Sequence, residues 1–261
     1  MTRHFLIGTC VVGMAAGQVA LAIPNLQLDI AGGGYRDETT FANANVFTLN
    51  ALNLGTSSKT PITDTYYISA ALLGAARTTP APALGSFDYA IDLNGNGRVD
   101  DDETSVRVAV AAGMTWGVPP IDRTPGTADS GDLQTHSVFP AYYTEFQFKF
   151  SRSLKTTAYD VETGSHPTLP AGTDGHMYYM PILVDVSGLA LGYGIHFDLY
   201  SKQYSKKGST DLDVNQFAPF SHDATGMSIA PPRTSVPVPD GGTTALLLGM
   251  ATLGLGFFRR K

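Results

Sequence analysis

Apolar and polar residues alternate with a period of two in short stretches along most of the chain, and helical periodicity is nearly absent between Ile23 and Ala230. The pattern predicts strands. Leu26, Leu28 and Ile30 alternate with Gln27 and Asp29 until Gly32-Gly33-Gly34 breaks the run, and Phe47 and Leu49 alternate with Thr48 and Asn50. Tyr66, Ile68 and Ala70 share one face of 64–73, and Val106, Val108 and Val110 share one of 104–112. Phe146, Phe148 and Phe150 form a row of rings interleaved with Glu145, Gln147 and Lys149. Further strands are expected over 178–186 and over 194–200, where Ile195, Phe197 and Leu199 alternate with His196, Asp198 and Tyr200. Such alternation implies one buried and one wet face, as in antiparallel sheets.

Eight or nine short strands separated by Gly, Pro, Asn and Asp predict an all-β fold, a single antiparallel β-sandwich of jelly-roll-like type over residues 23–230. A closed barrel is the structural alternative. An outer-membrane barrel fits less well, because its strands would need regular lipid-facing belts. Two long irregular stretches, 115–141 and 156–174, contain Pro119-Pro120, Pro125-Gly126, His166-Pro167 and Pro170. Stretches of that length inside a compact domain read as binding loops or mobile segments.

The two ends differ from the body. Arg3 and His4 precede an apolar run that leads to Ala20-Leu21-Ala22, the n-region, h-region and A-x-A site of a secretory signal peptide over 1–22. Residues 231–238 are a Pro-rich spacer. Then come Val238-Pro239-Asp240-Gly241-Gly242, an uncharged 16-residue apolar run over 243–258, and Arg259-Arg260-Lys261. That run is just short of the ~17–25 residues of a usual membrane span, and the basic end would stay in the cytoplasm. Motif, span and basic cluster over 239–261 resemble the VPDSG-type variant of the PEP-CTERM sorting signals, with glycine where the variant has serine. The resemblance implies a C-terminal hydrophobic sorting helix, processing by an exosortase as partner, membrane contact only through this segment before processing, and display at the cell surface or in the extracellular matrix of a Gram-negative bacterium.

The sole cysteine, Cys10, lies in the h-region, so the exported body has no disulfide and must be held by packing or metal. The full chain has a net charge of −6, and loss of both ends makes the body more acidic, which argues against nucleic acid or anionic lipid as partner.

One segment carries clear chemistry. From Asp92 to Glu103, oxygen-bearing residues stand at the first, third and fifth positions (Asp92, Asn94, Asn96), glycine at the sixth (Gly97), and glutamate at the twelfth (Glu103), the pattern of a calcium loop. Asp92, Asn94, Asn96, the Arg98 carbonyl, Asp100 and both oxygens of Glu103 would be ligands, and Gly97 permits the sharp turn. Flanking strands over 87–91 and 104–110 would make the loop the tip of a hairpin. An acidic Asn-Gly turn without metal is the alternative. Two amides in place of carboxylates predict weak affinity, on the order of 10⁻⁴–10⁻³ M.

The histidines of the body, His136, His166, His176, His196 and His222, fall into no metal-ligand spacing, so no zinc site is expected. His196 and Asp198 share a strand face. His222-Asp223 lies in a loop. Neither Ser187 nor Ser221 stands in a nucleophile elbow, so the chain is read as non-enzymatic. Tyr66-Tyr67, Tyr142-Tyr143 and Tyr178-Tyr179 each put one ring on either face, and outward rings could stack on sugar. An extracellular polysaccharide is therefore the alternative partner, with the body as a carbohydrate-binding module.

Residues 25–30, 64–70, 195–200 and 217–223, read together, resemble the bacterial surface proteins called choice-of-anchor N, in which one shared body is joined to different C-terminal anchoring signals. The resemblance implies export and surface attachment and no particular activity.

Overall fold

The computed structural model describes residues 23–122, 129–170 and 175–230. The expected signal peptide, spacer, sorting motif and apolar span lie outside them. Among the described residues no helix is long and apolar enough to cross a membrane.

The described residues contain fourteen strands: β1 (Leu26–Ile30), β2 (Gly34–Arg36), β3 (Thr39–Phe41), β4 (Val46–Asn53), β5 (Tyr66–Leu73), β6 (Ser86–Ile91), β7 (Val106–Ala109), β8 (Thr115–Gly117), β9 (Ala141–Phe148), β10 (Lys155–Thr156), β11 (Met177–Asp185), β12 (Gly194–Tyr204), β13 (Leu212–Phe217) and β14 (Asp223–Met227). They form two sheets. One has the order β1-β4-β11-β6-β7 with β10 beside β11, and the other has β2-β3-β14-β12-β5-β9-β8 with β13 beside β12. Every pairing is antiparallel except β14 with β3, a departure from the purely antiparallel expectation. Two sheets sharing one core make this a β-sandwich and not a barrel.

The core lies where the alternation places it. Leu26, Leu28, Leu49 and Ile182 from the first sheet meet Ile68, Phe146, Phe197 and Leu199 from the second. Phe47 packs edge-on against Phe197 with ring centroids 6.3 Å apart, and Tyr89 stacks on Phe146 at 4.1 Å. Burying a large apolar side chain of this kind stabilises by about 1.5–3 kcal/mol, which is why the period-two pattern dominates the fold.

Three expectations are corrected. The strand expected over 104–112 ends at Ala109, and a single helical turn, α1 (Val110–Gly113), follows, leaving Val106 exposed. The faces read as wet on β1 and β12 are dry: Gln27, Asp29, His196, Asp198 and Tyr200 are all buried. The two long irregular stretches are the cause. Residues 159–166 lie over β1, where the Gln27 side chain bonds the Tyr159 carbonyl at 3.1 Å and the Val161 N–H at 3.0 Å. Residues 118–122 and 129–140 lie on the outer face of the second sheet, where Val118, Leu133 and Phe139 pack with Ala71 and Tyr143 in a second small core. Tyr142 and Tyr143 are consequently both buried, against the expectation of one outward ring.

Candidate functional site

The predicted calcium loop is the tip of the β6–β7 hairpin, with Asp88 opposite Arg107 and Tyr89 opposite Val106 below it. Asp92 is fully buried, and its carboxylate receives the backbone N–H groups of Gly95 at 2.6 Å, Asn96 at 3.2 Å and Gly97 at 2.7 Å. That convergence requires the chain to curl around the first residue, which it does through left-handed glycines at Gly95 (φ 76°) and Gly97 (φ 78°). Asn94 Oδ1 holds the Asn96 N–H at 3.0 Å, and Asn96 Oδ1 holds the Arg98 N–H at 2.8 Å. Both amides donate to Asp100 Oδ2, at 2.7 and 2.6 Å. Glu103 folds back over the loop, with Oε1 2.6 Å from the Leu93 N–H and Oε2 3.0 Å from the Asp100 N–H.

The named residues thus form one network, but not one carboxylate cluster. Asp100, Asp102 and Glu103 bring ligand oxygens within 4.8 Å of one another, while Asp92 faces the loop backbone. Asp102 is an oxygen donor that the spacing did not name. The donors are all oxygens, as a hard dication requires, and each Asn carbonyl oxygen keeps a second lone pair.

A second cluster joins residues far apart in sequence. β12 carries His196 and Asp198 on its outer face, β14 begins with Asp223, and the covering segment 129–140 supplies His136. His136 Nε2 is 3.0 Å from His196 Nε2, 3.1 Å from Asp198 Oδ1 and 3.8 Å from Asp223 Oδ2. His196 Nε2 is 3.4 Å from Asp198 Oδ1 and 3.3 Å from Asp223 Oδ2. No side chain of the four is more than 10% exposed.

The opposite atom of each side chain is also held. His136 Nδ1 lies 3.2 Å from the Gln134 carbonyl, His196 Nδ1 lies 3.1 Å from Thr225 Oγ1, Ser69 donates to Asp198 Oδ2 at 3.0 Å, and Thr39 donates to Asp223 Oδ1. The His136 ring is stacked on Phe220 at 4.0 Å and meets Phe139 edge-on. Burial works against the imidazolium form of His196, but the Asp198 and Asp223 carboxylates overcome it and raise its pKa to about 10. His136 is likewise raised, burial opposing and Asp198 prevailing. Burial would raise Asp198, yet the two imidazoles hold it well below the usual carboxylate range. The two imidazoles and the carboxylates around them therefore favour one another's charged forms.

The spacing of the histidines gave no hint of this cluster. The usable signal was the pairing of His196 and Asp198 on one strand face, with His222-Asp223 downstream.

His222 and His166 join elements. His222 Nε2 is 3.1 Å from Asp160 Oδ1, and its Nδ1 is 2.8 Å from Ser221 Oγ. Asp160 also caps the 3-10 turn Val161–Thr163, so this contact ties that turn to the one at Phe220–His222. His166 reaches Asp29 from the stretch over β1.

A cavity of about 600 Å³ opens beside the 92–103 loop, walled by Tyr67, Tyr89, Ile91, Asp102, Glu103 and Glu145.

The VPDSG-CTERM motif is matched by residues 237–261. No curated protein matches the chain. Among solved structures, the chain is similar to the crystal structure of ACE19, the collagen binding subdomain of the Enterococcus faecalis surface protein ACE, at 8% identity and a TM-score of 0.23, over 79% of this chain and 98% of that one. Residues 237–261 are therefore an exosortase-type sorting signal, the mark of an exported surface protein.

Proposed function

We propose that this chain is a non-enzymatic surface or extracellular-matrix protein of a Gram-negative bacterium, led out by a signal peptide over 1–22, processed by an exosortase at 238–242, and displaying a calcium-stabilised β-sandwich of the choice-of-anchor N kind. The observation that carries the calcium reading is the buried Asp92 carboxylate gathering three successive loop N–H groups while Glu103 closes over the loop from the far end. A dication held by Asp92, Asn94, Asn96, the Arg98 carbonyl, Asp100 and Glu103 would fix the β6–β7 hairpin to the sandwich edge.

With a Kd on the order of 10⁻⁴ M, millimolar calcium adds about 1.4 kcal/mol by mass action. The full chain should then melt several degrees higher with calcium, and Asp92→Ala with Glu103→Ala should abolish the rise. Absence of any calcium-dependent shift at millimolar concentration would end this reading. Mass spectrometry of protein recovered from surface and medium tests the processing. A mature form beginning near Ile23 and lacking Arg259-Arg260-Lys261 is expected, whereas a surface pool that retains those residues would mean a plain membrane anchor.

The cavity favours a second reading, a carbohydrate-binding module. Half-buried Tyr67 and Tyr89 line it beside the carboxylates of Asp102 and Glu103, rings with oxygen acceptors of the kind that bind sugars. A glycan array decides it: reproducible binding that Tyr67→Ala removes would favour the module, and no binding to any glycan would exclude it.

A further inference from the structure

The geometry points to a structural zinc centre formed by His136 Nε2, His196 Nε2, Asp198 Oδ1 and Asp223 Oδ2. A tetrahedral zinc with arms of about 2.0–2.1 Å sets its ligand atoms about 3.3–3.4 Å apart. The five separations among these atoms given above run from 3.0 to 3.8 Å and centre on that value. Two imidazoles with two carboxylates suit zinc better than calcium or magnesium, which take oxygen ligands in larger number.

The outer contacts give a second, independent reason. A ligating histidine usually donates its other N–H to an oxygen acceptor, and a ligating carboxylate usually accepts a bond at its other oxygen. All four ligands here have such a partner: the Gln134 carbonyl, Thr225, Ser69 and Thr39. Those partners come from the covering loop, β14, β5 and β3, so four separate elements are arranged to aim four atoms at one point.

Charge gives a third. Two buried carboxylates need compensation. Two imidazolium rings would supply it, but their N–H groups would confront each other across 3.0 Å. A single imidazolium satisfies the N···N contact and leaves one negative charge unbalanced. One dication removes both difficulties.

Four protein ligands on buried side chains describe a closed site, which holds structure and not catalysis. It pins residues 129–140 to β12 and β14 through His136, in a body with no cysteine to form a disulfide.

The full chain, purified without chelator or metal-affinity steps and equilibrated with zinc(II), should retain one zinc per chain through gel filtration. X-ray absorption should then show two imidazoles and two oxygens, and cobalt(II) exchange should give the intense visible bands of a tetrahedral ion. His136→Gln and His196→Gln should each reduce zinc retention by at least about tenfold, while Asp92→Ala with Glu103→Ala leaves it unchanged, separating this centre from the calcium hairpin. Stripping zinc should open 129–140 to protease. Should the histidine variants fail to fold, the cobalt and X-ray absorption spectra of the unaltered chain decide alone. Zinc retained far below one equivalent, or an oxygen-only shell, would overturn the inference.

Discussion

His166 Nδ1 lies 2.6 Å from Asp29 Oδ1, a contact that joins the stretch over β1 to the middle of that strand. The other Asp29 oxygen accepts the Tyr159 hydroxyl at 2.6 Å, and Oδ1 also takes the Ile30 N–H at 2.8 Å. Asp29 is fully buried, so it serves as the anchor on which residues 159–166 are hung. His136 and Asp198 stand in the same relation on the other sheet at 3.1 Å. In both places a histidine from a long irregular stretch grips an aspartate on a strand's outer face.

Replacing Asp29 by alanine removes the acceptor for Tyr159 and His166 together. Breaking a buried pair by deleting one partner costs about 3–5 kcal/mol. Asp29→Ala should lower the free energy of unfolding measured in urea by that much, and limited proteolysis should cut first within 159–166. Cleavage elsewhere, with that stretch still protected, would show that packing alone holds it down.

Alkaline unfolding follows from the buried tyrosines. Burial, with a smaller contribution from Asp64 opposed by a bond to Asn53, pushes Tyr66 from 10 up to about 12. Tyr143, Tyr159 and Tyr200 are pushed up as well, burial first and then Glu145 for Tyr143 and Tyr200, and Asp29 for Tyr159. A raised folded pKa means the native state holds its proton more tightly than the unfolded chain. The stabilisation is complete below pH 10 and fades as pH rises through about 12. Tyrosinate absorbance and circular dichroism should therefore change together for these residues above pH 10, while exposed tyrosines ionise earlier with no loss of structure.

Two glycines with the same sign of φ should respond differently to alanine. Gly97, at φ 78°, has open space where a Cβ would go, so Gly97→Ala costs only the left-handed backbone, about 1–2 kcal/mol. A Cβ on Gly85, at φ 89°, would stand 2.1 Å from the Gly188 carbonyl oxygen, whose partner N–H is that of Ser86. Gly85→Ala must push two backbone segments apart and should destabilise well beyond Gly97→Ala. Equal urea midpoints for the two variants would contradict this.

The sandwich and the β6–β7 hairpin with its Asp92–Glu103 loop were legible in the sequence because each depends on nearby residues. Leu26, Leu28 and Ile30 declare a buried face within five positions, and the oxygen donors of the loop lie within twelve. Gln27, Asp29, His196 and Asp198 were misread as wet for the opposite reason. Alternation says which side chains share a face and nothing about a loop 60 or 130 residues away that covers it. The His136 cluster is the extreme case, since its members come from a loop, a central strand and a strand that pairs parallel with β3. Short strands such as β2, β3 and β10 were likewise invisible, being too brief to show a period.

Glu145 offers a test of how such outer-face networks are stabilised. Lys202 Nζ is 2.5 Å from Glu145 Oε2, the Tyr200 hydroxyl donates to Oε1, and the same ammonium sits 4.0 Å over the Tyr67 ring. Both charged side chains are 7% exposed. Lys202→Ala leaves a buried carboxylate with one hydroxyl for support and should cost about 3–5 kcal/mol. Glu145→Gln keeps an acceptor for Tyr200 and leaves the ammonium its cation–π contact, worth about 0.5–2 kcal/mol, so the loss should be smaller. Glu145→Gln with Lys202→Met removes both charges and should cost much less than the two single losses added together. Urea midpoints for the wild type, Lys202→Met, Glu145→Gln and the double variant complete the cycle. Additive losses would mean that the pair contributes nothing beyond its packing, and that the stability of this face rests on Tyr67 and Tyr200 alone.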